Sequence, residues 1–595
     1  MGGLRAGAEP HSIASPASAA GSGEREGGQG VRRRWAAVAG YVLSGAVLFV
    51  AYLRLSETYS LNSDSANILL MGWDLLHGHL LLHGWYMSDV SFFPTELPQY
   101  ALLESFLGPH MQTAHVAAAM TYTLTFLLAV LLARSRGASP GRLSAPTSPD
   151  LGDPSPRTSP DWRDASRQIL LVRTLIAAGI MLAPQLGLGV FALDLSVGHI
   201  GTAIPLLLTW LLLDKVQPRW YVPVLTAVLL AWVLVADPIV YIVGIGPLGA
   251  VAAARVIRGW VRAGGSWRTR LTAVWYDLSL GAAAVAATGI AWVANNVISA
   301  AGGYTVNRPP FYLTPWHYLH NNEQAGWKLL QIFGADYRGL SGAWLVLAFL
   351  HLASVLVVGW ALVRVARRFF RISLVDQVLA VAIVLNVVLY LLSNAATEAA
   401  HEVAIIVPFG AALAARVLTR RIRSVNGATA TDGDQGPASS GPTRRIRLAG
   451  ILVAGTLLAG YGAGFGYELT QPSAPPANTE LASWLETHHL SYGLSGYWTS
   501  SSVTVDSDNR VQVRALMQFT MKRDLWMSNV GWYDPKLHYA NFIVLDSAAG
   551  FFNHWEPRAL VRKYFGRPAR TYQIGRYTVL VWNRNLLNSI PRTPG

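Results

Sequence analysis

The chain has 595 residues, a formal net charge of +14 and only 13% charged residues, against roughly 25% in a soluble domain. Cysteine is absent, which excludes disulfides, a thiol nucleophile and a Cys-bound metal. The arginines stand at the ends of apolar runs, where they orient helices in a bilayer, so the positive balance belongs to a membrane protein and no nucleic-acid partner is expected.

In chain order, a Gly/Ser-rich tail, residues 1–34, reads as disordered and ends in Arg32, Arg33 and Arg34. The apolar run Trp35–Leu53 follows, and the positive-inside bias puts the tail in the cytoplasm. The tail is long and polar and no small-x-small site follows Leu53, so this run is expected to stay as an anchor, not to be cleaved as a signal peptide. Residues 55–111 then carry six carboxylates, four histidines and no Lys or Arg. This stretch reads as an external loop.

About eleven crossings are expected from length and apolarity: residues 35–53, 113–132, 168–186, 199–213, 220–236, 239–254, 271–297, 341–362, 375–392, 402–418 and 448–466. Arg134/Arg136, Lys215/Arg219, Arg255/Arg258/Arg262, Arg364 to Arg371 and Arg416 to Arg447 all fall on one side, so an odd count leaves the C-terminus outside. Residues 137–160 and 424–443, rich in Ser, Pro, Gly and Asp, read as disordered cytoplasmic loops. The segment 299–340 reads as a second large external loop.

From Glu468 charges return. The phrases SVTVDS, YANFIVLDS and RTYQIGRYTVLVWNR read as strands, and ANTELASWLETH reads as a helix capped by Asn478 or Thr479. The expectation for 468–595 is a small external α/β domain after a linker at 471–476, more a folded cap than a carrier of chemistry.

With its internal N-terminus, long acidic first loop, about eleven helices and external C-terminal domain, the chain resembles the GT-C glycosyltransferases. The likeness is to the protein-mannosyltransferase and aminoarabinose-transferase branch, including actinobacterial membrane proteins. SETYSLNSDSANILLMGWDLLHG matches the family's first-loop pattern with Asp64 at its catalytic acidic position. The family's paired acid is missing: Ser63 and Ser65 flank Asp64, and the next carboxylates are Glu57 and Asp74, which stand as secondary candidates. The resemblance implies a polyprenyl-phosphate sugar donor, with Asp64 deprotonating an acceptor hydroxyl that attacks the anomeric carbon with inversion. It also implies a multi-pass protein of the bacterial plasma membrane, acting on an extracytoplasmic glycan, lipid or protein of the cell envelope. A competing reading makes Asp64 the N-cap of a helix over 65–76.

Four further outer segments carry candidates. In FALDLSVGHIGT, Asp194 and His199 fall where the family often holds a metal or the donor phosphate; the two side chains could share a divalent ion, Mg²⁺ or Mn²⁺, or simply cap and pack. Asp237, in VADPIVY, raises the same question, with a turn or cap as the default reading. After the seventh crossing, Arg308, His317, His320 and Lys328 stand among aromatics, which suits a phosphate and a sugar face or else an ordinary interfacial belt. SNAATEAAHEVAIIVPFG puts Glu398, His401 and Glu402 at the mouth of the tenth crossing. Two other functions fit a chain of this kind: a multi-pass transporter, which needs polar groups at the midplane, and a non-catalytic scaffold for envelope assembly. The outer concentration of polar residues favours the transferase.

Overall fold

The structure, a computed structural model, describes residues 20–135, 160–182, 190, 193, 195, 198–314, 318–397, 400–419, 442–548 and 555–591. Nearly all of the expected disordered loops 137–160 and 424–443, and Asp194, His317 and Glu398, lie outside them. The chain divides into two units, Met1–Val50 and Ala51–Gly595. The described part of the first is the leading stretch of helix α1, Ala20–Ser56.

The second unit is a helical bundle joined to an α/β lobe. Its first half holds α2 (Ser63–Leu76), β1 (Trp85–Met87), α3 (Glu96–Leu107), α4 (Met111–Arg134), α5 (Pro160–Leu182), α6 (Ala203–Lys215), α7 (Tyr221–Ala236), α8 (Gly246–Ala263) and α9 (Trp267–Ala300). Then come β2 (Thr305–Val306), α10 (Tyr318–Ile332), α11 (Gly342–Arg367), α12 (Leu374–Leu392), α13 (Ile406–Leu418) and α14 (Pro442–Leu469). Among the described residues seven helical stretches are long and apolar enough to cross a bilayer: 38–56, 111–134, 241–263, 267–300, 342–367, 374–392 and 400–418. The sequence predicts eleven. The expected crossings at 199–213 and 220–236 correspond to α6 and α7, of 13 and 16 residues, short of the ~20 that span a bilayer at 1.5 Å per residue. Within the two expected outer loops, α2 and α3 form in the first and α10 in the second.

One end of the bundle is tied by charge. Arg416, near the end of α13, is buried and donates from Nη2 to Asp214 Oδ1 at 2.6 Å and from Nε to Asp376 Oδ1 at 2.5 Å, with Ser135 and the Leu132 carbonyl completing its shell. The ends of α4, α6, α12 and α13 meet there. The arginine pattern puts these ends on one side, but Arg416 serves as a buried ion-pair centre, not as an interfacial charge.

Toward the other end three distant segments share a small sheet. β1 runs parallel to β2, pairing Tyr86 with Thr305, and antiparallel to β5 (Ser528–Asn529), pairing Trp85 with Asn529. Asn307 Nδ2 adds hydrogen bonds of 2.6 Å to the Met87 and Leu525 carbonyls. The first loop, the loop after α9 and the C-terminal lobe thus sit together, as their common expected side requires.

The lobe comprises α15 (Thr479–Thr487), β3 (Tyr492–Ser495), α16 (Tyr497–Asp506), β4 (Gln512–Ala515), β6 (Phe542–Asp546), α17 (Arg558–Phe565), β7 (Arg570–Ile574) and β8 (Tyr577–Val581). Its five strands run in the order β4-β3-β6-β8-β7, parallel across β4, β3 and β6 and antiparallel from β6 onward. Strand alternation splits its core in two: Phe542, Val544 and Val579 pack with Leu481, Leu485 and Val503, while Ile543, Leu545 and Leu580 pack with Val561, Phe565 and Trp582. The strands predicted in YANFIVLDS and RTYQIGRYTVLVWNR are present. SVTVDS is not a strand: it closes α16, where Val503 and Val505 are buried and Ser502, Thr504 and Ser507 hydroxyls bond back to carbonyls three or four residues earlier. Packing between β4 and α2 overrides the β-preference of these branched residues. Asn478 is the N-cap position of α15, but its side chain instead donates to Ser502 Oγ and accepts from the Tyr577 hydroxyl.

Candidate active site

The site grows from the first turn of α2. Asn62 is the N-cap; its Oδ1 accepts from the backbone N–H groups of Asp64 and Ser65 at 3.0 and 3.4 Å. The capping task expected of Asp64 therefore falls to Asn62, and the Asp64 carboxylate points elsewhere. Its Oδ1 accepts a 2.6 Å hydrogen bond from the hydroxyl of Tyr497, the first residue of α16, and Asn67 Nδ2 donates to the same hydroxyl at 3.2 Å. Burial raises the pKa of Asp64, while the bonds from Tyr497 and Asn62 and the His401 imidazole pull it back.

The other first-loop candidates are held by structural partners. Glu57 accepts from Gln112 at 2.7 Å and lies 3.5 Å from Arg54. Asp74 accepts from the Trp85 indole at 2.7 Å, which fixes β1 against α2.

From His401 a chain of acid and imidazole groups continues. His401 Nε2 lies 3.5 Å from Glu402 Oε1, and the His401 ring is 5.9 Å from the His199 ring. His199 is clamped: Nδ1 lies 2.7 Å from Asp237 Oδ2 and Nε2 lies 3.1 Å from Glu402 Oε2. Asp237, at the C-terminus of α7, also accepts from Thr202 at 2.5 Å and from the Ile239 N–H at 2.9 Å. Its Asp-Pro turn is real, and so is its grip on His199. Asp89 completes the group, since ligand atoms of Asp89, His199 and Glu402 lie within 4.8 Å of one another. Burial raises the pKa of Asp89, and the nearby His199 opposes it. Glu96 at the start of α3 is buried, accepts from Thr95 and packs its carboxyl where a Cβ on Gly201 would stand. Burial pushes its pKa up to about 7, against the Thr95 bond and helped by the Asp237 charge.

The residues fit a divalent cation. With Nδ1–H of His199 given to Asp237, Nε2, now against Glu402 Oε2, is the atom that would ligate beside one oxygen each from Asp89 and Glu402, the carboxylate–histidine–metal arrangement. Asp194, the expected partner of His199, lies outside the described residues. An imidazole ligand suits Mn²⁺ better than Mg²⁺. The helix that carries His320 and Lys328, α10, packs against the segment of His401 and Glu402, and Arg308 follows the Asn307 that bonds to the Met87 carbonyl. Arg308 and His320 are exposed, Lys328 Nζ sits 5.9 Å from the Tyr390 ring centre, and the contacts described for the acid–imidazole cluster include none of them.

Sequence reasoning singled out Asp64, His199, Asp237, His401 and Glu402, which the fold gathers. It passed over Asp89, Glu96 and Tyr497. The first two were visible as carboxylates in a loop without cations, but nothing in their spacing marks them. Tyr497 comes from the lobe expected to be chemically silent, 433 residues from its partner.

No known protein family and no curated protein matches the sequence. Among solved structures, the chain is similar to ArnT from Cupriavidus metallidurans bound to undecaprenyl phosphate, at 12% identity and a TM-score of 0.45, over 91% of this chain and 97% of that one. A likeness of this level fixes neither fold nor activity.

Proposed function

We propose that the chain is a membrane glycosyltransferase that moves a sugar from a polyprenyl-phosphate donor to an acceptor hydroxyl outside the cytoplasm, with Asp64 as the base. The observation that supports it best is Asp64 itself. It is a carboxylate freed from capping by Asn62, fixed by a phenol on one oxygen, and set beside an imidazole–carboxylate cluster at one end of an apolar bundle. In the reaction the acceptor O–H gives its proton to Asp64, its oxygen bonds to the anomeric carbon, and the polyprenyl phosphate leaves with the electron pair of the broken C–O bond. A cation bound by Asp89, His199 and Glu402 would supply positive charge for that phosphate. Arg308, exposed on the stretch after β2, is the second candidate for phosphate contact, with His320 and Lys328 behind it.

Membranes containing the full chain, given tritiated polyprenyl-phosphoryl sugars extracted from the producing bacterium, test the proposal by label transferred to endogenous acceptor. Asp64→Asn should lower the rate about 10²- to 10⁴-fold, the range of a general base. Transfer by Asp64→Asn at the wild-type rate overturns the assignment.

A further inference from the structure

We infer that Tyr497, presented by the C-terminal lobe, is a positioning residue for Asp64: it occupies Oδ1, so that Oδ2 is the oxygen that receives the acceptor's proton. The inference rests on the reading of Asp64 as the base and goes beyond it in giving the lobe a part in the chemistry.

The geometry fixes the direction of each proton. Asn67 Nδ2 has only donors to offer, so the Tyr497 oxygen accepts from it at 3.2 Å. The single phenol proton then goes to Asp64 Oδ1 at 2.6 Å, while the Met527 sulfur at 3.4 Å is a weak alternative acceptor. Among the described residues Asp64 Oδ2 accepts only from Asn62 Nδ2, at 3.5 Å, a much longer bond than the phenol's. Oδ1 is held and Oδ2 is the less engaged oxygen. Asn62, Asn67 and Asp64 share α2 and the loop before it, so among the described residues the group that the lobe hydrogen-bonds to the carboxylate is the phenol.

The placement is built, not incidental. α16 packs along α2, with Ser502 Oγ 3.5 Å from Ser63 Oγ and Asp508 Oδ1 3.0 Å from His110 Nδ1. β5 pairs with β1, and Asn529 donates to the His83 carbonyl at 3.2 Å. The lobe is therefore clamped on both flanks of Tyr497. A phenylalanine would fill the same space, so packing alone does not call for the hydroxyl.

The charged and titratable groups that face the pair are His401 from the segment before α13, which favours the Asp64 anion, and Asp524 of the lobe, which faces the phenol. Without the phenol, the carboxylate keeps its burial and loses a bond that holds it ionised. The acid limb of the rate profile should then move up.

Two readouts on the full chain in membranes test this. A water-soluble carbodiimide modifies the protonated carboxyl, and peptide mass analysis of Asp64 across pH gives the midpoint of its titration without any substrate. Transfer of the tritiated polyprenyl-phosphoryl sugars gives the rate profile. In Tyr497→Phe both the midpoint and the acid limb should rise by about one pH unit, the effect of losing one hydrogen bond to a charged group. Asn67→Leu, which leaves the phenol but frees its proton to turn toward Met527, should give a smaller shift of the same sign. A midpoint and limb in Tyr497→Phe equal to wild type, with Asp64→Asn inactive, overturn the positioning role and leave the base standing. Full transfer by Asp64→Asn overturns the base and with it the positioning role, whatever the midpoints do.

Discussion

Glu104 gives a stability prediction with a definite sign. It lies on the buried face of α3, 2% exposed, with neither carboxyl oxygen hydrogen-bonded among the described residues, and Oε2 is 2.9 Å from where a Cβ on Gly72 of α2 would be. Burial pushes its pKa from 4.5 up to about 9. Between these values the folded chain holds a proton that the unfolded chain has released, so stability falls as pH rises through the window and the loss is complete only above the folded value. Each pH unit costs ~1.4 kcal/mol, or about 4 kcal/mol between pH 5.5 and 8.5. Glu104→Gln keeps the shape and cannot ionise. In detergent-solubilised protein, its melting temperature should already exceed wild type slightly at pH 5.5, and by a margin that widens toward pH 8.5. Parallel curves for the two proteins across that range would refute the reasoning, because an ionised Glu104 would then be accommodated at no cost.

At the far end of the bundle, Arg416→Met removes the buried guanidinium shared by Asp214 and Asp376 and should cost about 3–5 kcal/mol, read as a lower melting temperature in detergent; an unchanged Arg416→Met would mean the triad does not hold the helices. For the metal set, purified protein should bind one Mn²⁺ by electron paramagnetic resonance titration. Asp237→Asn, which removes the acceptor for His199 Nδ1–H, should weaken that binding about 10- to 100-fold, and His199→Ala should abolish it. Equal affinity in all three proteins would remove the cation from the site.

Much of the plan was legible because it rests on strong signals. Apolar length and arginine placement located the helices, and β-branched alternation located β6, β7 and β8. What failed did so for local reasons. SVTVDS was read by propensity, but Val503 and Val505 find their burial on a helix wedged between β4 and α2, and its hydroxyls are satisfied within that helix. Arg416 looked like its neighbours in sequence, since no periodicity reveals that Asp214 and Asp376 converge on it from two other helices. The site shows the same division. Asp64 and the His199 and His401 segments stood out as polar groups bordering apolar runs, whereas Tyr497 and Asp89 become visible only when loops distant in sequence are brought together.

The charge of the assembled site constrains how it could work. Asp64, Asp89, Glu96, Asp237 and Glu402 crowd around two imidazoles, and a prenyl-phosphate donor adds a further anion. With both ring nitrogens facing carboxylates, His199 must be an imidazolium when no cation is bound, since each nitrogen then donates. That single positive charge is already shared by Asp237 and Glu402, so it leaves little for a phosphate. A divalent ion held by Asp89, Glu402 and His199 would change the balance: His199 would be neutral, with Nδ1–H still donated to Asp237, and the ion would add net positive charge near Asp64. Protonation of Glu96, whose pKa burial pushes up to about 7, removes one further negative charge. The arrangement therefore predicts that donor binding strengthens with Mn²⁺ and weakens as pH rises above 7, two dependences that a phosphate site built on Arg308 alone would not share.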